Sequence, residues 1–141
     1  MEKIQFDSGI REYRLNGAGV LRFNPGDPNL YARFMEAVEE IKDMEKKLSA
    51  QAGDDGMTVL KLLQDADRQM KQSLSRVFGE GNDFDKILGG VNLLAIGANG
   101  QRVITNLFAA LQPILLQGAE ACAREQTQAA VTRAKARRSM Q

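Results

Sequence analysis

Histidine is absent from this chain of 141 residues, and cysteine occurs once, at Cys122. One thiol cannot close a disulfide within the chain. Without histidine beside it, one soft ligand cannot make the four that a zinc site takes. The side chain that most often moves protons near neutral pH is missing, which removes Ser-His-Asp and Cys-His catalysis. No apolar run approaches the roughly 18 residues of a membrane span. The N-terminal MEKIQFDSG is charged and lacks the apolar stretch of a secretory signal. Neither sign of charge dominates: 19 basic against 18 acidic side chains leave +1, no field to attract nucleic acid or a lipid surface. What is present is 43% apolar and 26% charged, the make-up of one domain with an ordinary core. These exclusions point to a cytosolic protein that is not an enzyme. They leave no catalytic residue, no metal ligand set and no cofactor to name.

The charge is unevenly placed. Residues 1–50 carry eight basic and nine acidic side chains, residues 51–100 five and seven, and residues 101–141 six and two. Most of the positive charge of the last third falls on Arg124, Arg133, Lys135, Arg137 and Arg138. Such a basic tail can pair with phosphate or with an acidic protein surface. It can equally be a solvated end, favoured near a helix C-terminus by the macrodipole, and base rates favour that reading. No aromatic residue is interleaved with these charges, which argues against stacking on single-stranded nucleic acid.

Hydrophobic periodicity orders the chain as α+β, mostly α. Tyr13 and Leu15 alternate with charges, as do Leu21 and Phe23 after Asn16-Gly17-Ala18-Gly19. An Asn-Gly between two alternating runs predicts a β-hairpin within residues 3–24, its loop somewhat longer than two residues. Ile4-Gln5-Phe6 reads either as a third strand or as a loose arm. Asp27-Pro28 then opens a helix over about 28–50, with a stripe at Leu30, Phe34, Ala37, Val38, Ile41, Met44 and Leu48. A break at 52–56 leads to a second helix over 57–78, polar along Lys61, Asp65, Arg68, Lys71 and Gln72, which should pack antiparallel on the first. A helical turn over 83–88 comes next. A helical section is expected over 92–118, interrupted at Gly97–Gly100 and from about Gln101 reading as one long helix, kinked at Pro113, or two in series, with an alanine-rich basic helix or tail over 119–141 outside the globular domain of 1–118.

The candidate motifs are few. Gly79-Glu80-Gly81, Gly89-Gly90 and Gly97-Ala98-Asn99-Gly100 do not fit a phosphate loop and read as helix terminators. Asp54-Asp55, Asp65/Asp67 and Asp83/Asp85 do not fit a calcium loop and read as solvated caps. Cys122 has no activating neighbour and reads as a packing residue. The strongest hint of function is apolar material between Val91 and Leu116, rich for a segment cut by glycines and a proline. It either completes the core or offers a face to another helix. As a partner face it comprises Leu93, Leu94, Ile104, Leu107, Phe108, Leu111 and Leu115.

Three stretches carry a resemblance. Phe23-Asn24-Pro25-Gly26-Asp27-Pro28-Asn29, Val77-Phe78-Gly79-Glu80-Gly81 and Leu88-Gly89-Gly90-Val91-Asn92-Leu93 resemble, in that order, elements of a family of small proteins encoded in the tail-gene regions of tailed phages and prophages of Gram-positive hosts. The basic stretch Arg133–Arg138 is similar too, whereas the alanine-rich extension after Gly118 departs from the pattern. The resemblance implies a tail assembly chaperone in the cytoplasm of the bacterial host. Its client would be the tape-measure protein or another phage tail protein, and it would act as a homo-oligomer. The residue reading suits this: the apolar face would cover client surface at roughly 25 cal/mol per Å² and gain by avidity. The alternatives are a structural or adaptor subunit of the virion and, as the less favoured reading, nucleic-acid binding through the basic tail.

Overall fold

Two strands, β1 (Arg11–Leu15) and β2 (Gly19–Phe23), form an antiparallel hairpin in which Arg11 faces Phe23 and Leu15 faces Gly19. The turn works because Asn16 and Gly17 both take positive φ, 52° and 74°, the geometry that asparagine and glycine tolerate best. The structure is a computed structural model that describes residues 1–51 and 55–139; part of the expected break at 52–56, Asp54 included, and the last two residues of the tail lie outside them. Residues 1–10 form no strand. Of the two readings of Ile4-Gln5-Phe6, the arm is the one observed.

Leu21 and Phe23 turn the inner face of the hairpin into the core. Tyr13 stacks on Phe23 with ring centroids 4.7 Å apart. Gly19 lies so close to Ile87 that a methyl group built on it would overlap the Ile87 carbonyl. The hairpin is therefore seated on the short helix that Ile87 ends, and glycine permits that approach.

The first helix, α1 (Pro28–Ala50), begins where the cap residues place it: the Asp27 carboxylate accepts from the Asn29 N–H at 2.9 Å, and Pro28 needs no partner there. The second, α2 (Gly56–Phe78), is capped by Asp55, which accepts from Met57 N–H, Thr58 N–H and the Thr58 hydroxyl. The Thr58 hydroxyl, then the Thr58 and Met57 amides, hold the Asp55 carboxyl below its ordinary value. The pair is antiparallel, since Arg33 near the start of α1 donates to the Val77 carbonyl near the end of α2 at 3.3 Å. Gly79 closes α2 with φ 108°.

A single turn, α3 (Phe84–Ile87), follows under its cap Asp83. The fourth helix, α4 (Val103–Ser139), is one continuous element. It passes through Pro113 and does not divide at Gly118. The expected start at 92 is corrected to Val103. Residues 92–102 turn instead, because local donors are already engaged. The Asp67 carboxylate takes the Leu93 N–H at 2.8 Å, and the Asn92 side chain takes the Leu94 N–H at 2.7 Å. Gly97 N–H then reaches the Gln101 carbonyl, and Gly100 adopts φ 79°. Short side chain-to-backbone bonds of this kind compete with helix.

The core joins these elements through aromatic rings. Phe23 meets Phe78 at 5.1 Å, Phe78 meets Phe34 and Phe84, and Phe34 meets Phe108 edge-on at 5.5 Å. Hairpin, α1, α2, α3 and α4 thus share one cluster.

Candidate interaction surfaces

The apolar face expected for a partner is instead the core's own. Leu93 and Ile104 are 0% exposed, and Leu94, Leu107, Leu111 and Leu115 are buried with them. Phe108 is half-buried against Phe34. The reason is geometric. The first half of α4 lies along α1, so the stripe at Ile104, Leu107, Leu111 and Leu115 fills the space facing Phe34. A helix stripe records which side is covered and not whose chain covers it. A partner cannot reach these residues, Phe108 apart, without opening the fold.

The basic residues fall elsewhere. Arg124, Arg133, Lys135, Arg137 and Arg138 all lie on α4 beyond Gly118 and are exposed. Between residues 120 and 139 only Cys122 and Ala134 are even half-buried. These 20 residues project for about 30 Å at 1.5 Å per residue. The helix leaves the body at Gly118, where a methyl group would overlap the Pro25 carbonyl and lie 3.1 Å from Gly26 N. At 3.6 residues per turn, Arg124, Lys135 and Arg138 share one side of the projection and Arg133 and Arg137 the opposite side. The charge encircles the helix and makes no single basic face.

A second surface is only half legible in the sequence. Ile4, Phe6 and Ile10 are 89%, 80% and 54% exposed. The arm that carries them is fixed only at its root: Asn24 donates to the Ser8 carbonyl at 3.0 Å, and Gly9 N–H donates to the Asp7 carboxylate at 2.8 Å. Beside that root is a groove of about 870 Å³ between the start of β1, the Asn24–Gly26 turn and α4, with Ile10, Tyr13, Ile114 and Cys122 among its walls.

A charged groove of about 980 Å³ lies between α2 and the segment that follows it. Its centre is Lys71, expected on the polar face of α2 but only 6% exposed. Lys71 donates to the Asp85 carboxylate at 2.6 Å and pairs with Asp67 at 2.9 Å. Burial pulls the ammonium down, but the hydrogen bonds and charges of Asp85 and Asp67 outweigh it and leave Lys71 above its ordinary value. Asp67 and Asp85 are therefore ion-pair partners, whereas Asp83 is the cap it was expected to be. The triad ties α2 to α3 and, through Asp67 and Leu93, to the loop before α4. Nearby, Asn82 accepts from Arg22 N–H at 2.9 Å and donates to the carbonyls of Arg22 and Phe78. It acts as a strand partner for β2, a role no spacing rule reveals.

Among the described residues no helix is long and apolar enough to cross a membrane, and no group of acidic or thiol side chains is gathered to hold a metal ion. No protein-family model matches the chain, and no curated protein or solved structure is significantly similar to it.

Proposed function

We propose that this chain is an assembly protein that acts by contact with another protein, and that its client is the tape-measure protein of a phage tail. It would shield that client in the host cytoplasm until tail-tube subunits replace it. The phage assignment rests on the sequence resemblance alone. The projecting half of α4 supports contact as the mode of action. Beyond Gly118 it exposes about 30 Å of helix, at 1.5 Å per residue, that covers almost none of its own core, a surface open to a partner that lies along it. The buried stripe at Leu93–Leu115 has no part in this reading; it builds the platform from which the helix projects.

The net charge of +1 and the lack of aromatic residues among the basic side chains favour steering toward an acidic protein surface over nucleic-acid binding. The test is co-expression of a tape-measure fragment with the full chain and with a variant lacking residues 123–141. The full chain is expected to raise the soluble fraction of the fragment, and the shortened one to lose that effect while keeping the wild-type Tm. A fragment no more soluble with the full chain than alone refutes the proposal. Presence of the chain in mature tails at fixed stoichiometry would establish the virion-subunit alternative in its place.

A further inference from the structure

The N-terminal arm and the groove beside its root are two unsatisfied halves of one contact. Ile4 and Phe6 alternate with Lys3, Gln5 and Asp7, the pattern of a strand with one covered face. Neither is covered by its own chain. The groove is long enough to take them: its α4 wall runs from Ile114 to Glu125, about 17 Å at 1.5 Å per residue, and Ile4–Phe6 spans about 10 Å extended. Its walls offer Tyr13, Ile10 and Ile114 to apolar side chains, and its lining carries both signs, Arg11 with Asp7 and Glu125. The arm likewise carries one of each, Glu2 and Lys3. Within one chain the arm does not enter, since neither Ile4 nor Phe6 lines the groove.

We infer that the occupant of this groove is the arm of a second copy of the same chain, exchanged reciprocally across a two-fold axis. A reciprocal exchange covers both arms and both grooves, whereas a one-way contact leaves one of each open and propagates. The arm, residues 1–6, and the 14 residues lining the groove bring 20 residues from each copy, the lower end of the roughly 20–30 a side in a standard interface. Lys3 and Glu2 each find a charge of opposite sign in the lining, Asp7 or Glu125 and Arg11. This contact is independent of any client and stands or falls without the tape-measure reading.

Two measurements on the full chain decide it. Light scattering should give the mass of a dimer, and Phe6→Asp should halve it while the far-UV circular dichroism stays that of wild type, since Phe6 is 80% exposed on its own fold. Cys122 lines the groove, so an Ile4→Cys variant should form a disulfide joining two chains under mild oxidation. In a mixture of tagged Ile4→Cys/Cys122→Ser chains with wild type, the joined species should contain one of each. A monomer mass at high micromolar concentration overturns the inference. So does a dimer that survives Phe6→Asp, or a larger ring. So, too, does an Ile4→Cys variant whose new thiol closes on Cys122 inside one chain, which would make the arm a cover for its own groove.

Discussion

Gly118→Ala tests the way α4 is attached, because two physical effects there have opposite sign. In an exposed helix interior, replacing glycine by alanine stabilises by roughly 1 kcal/mol. At Gly118 the added methyl group would overlap the Pro25 carbonyl, which is backbone and cannot swing aside as a side chain would. The Pro25–Gly26 turn is held in place from both ends. Gly26 N–H donates to the Asn24 side chain at 2.8 Å, Asp27 N–H donates to the Asn24 carbonyl at 3.2 Å, and Asp27 in turn caps α1. Overpacking costs about 1–3 kcal/mol, and a backbone neighbour on a pinned turn puts this site near the upper figure. Subtracting the helical gain leaves a net loss of about 2 kcal/mol, or a fall in Tm of roughly 8 °C at roughly 4 °C per kcal/mol. Urea and thermal unfolding measure it directly. Ala123→Gly, out on the projection, serves as the control and should leave the cooperative transition in place. A Gly118→Ala protein as stable as wild type, or more so, would mean that α4 does not cross the Pro25 turn in contact.

The remaining expectations concern the interior. Asn82→Ala strands the part-buried Arg22 N–H and carbonyl and should cost about 2 kcal/mol in urea unfolding, the lower end of roughly 1–3 kcal/mol for each group left unpaired. Leu111→Ala, at a buried position on α4, should cost about 2–5 kcal/mol; its loss of client solubilisation should track the unfolded fraction, and selective loss from a fully folded variant would restore that stripe as a contact face. Lys71 is raised above its ordinary value, so its contribution is complete below the unfolded-state value of about 10.4 and is lost as pH rises through the folded one. The stability gap between wild type and Lys71→Met should therefore be constant near neutral pH and close in alkali; a gap that widens there contradicts the ion triad.

Which parts of this fold the sequence discloses depends on whether a local signal meets a competing one. The two long helices are legible to within a residue because a cap, a stripe and a stop agree at each: Asp27-Pro28 with Leu30 to Ile41, and Asp55 with the run to Phe78 and Gly79. The hairpin is legible because Asn16-Gly17 sits between alternating runs. Within residues 92–102 the stop at Gly97–Gly100 is legible as a glycine signal, whereas the turn at Leu93 is not, because the group that fixes it is distant along the chain. Asp67 on α2 captures the Leu93 amide, and Lys71 holds Asp67 for that purpose. The same distance hides Lys71 itself, which falls on the polar side of α2 by periodicity yet meets Asp85 from another element. Of the candidate surfaces, the basic projection is legible by charge alone and the arm only as one of two readings.

The burial of the stripe at Leu93–Leu115 changes what kind of contact this molecule can make. A chaperone built on a broad apolar face would bind by exchanging one large covered area for another, and would aggregate when empty. This chain keeps that stripe inside and reaches outward, apart from the arm inferred to dock on a second copy, with a thin element, a helix whose exposed side chains are mostly small, polar or basic. Thin elements bury little area each, so each contact is weak and readily reversed. Binding then becomes firm only when several copies engage one partner together. Reversible coverage is what a shield that must later be displaced requires. A permanent subunit gains nothing from it, and on that ground thin contact elements favour transient coating over incorporation.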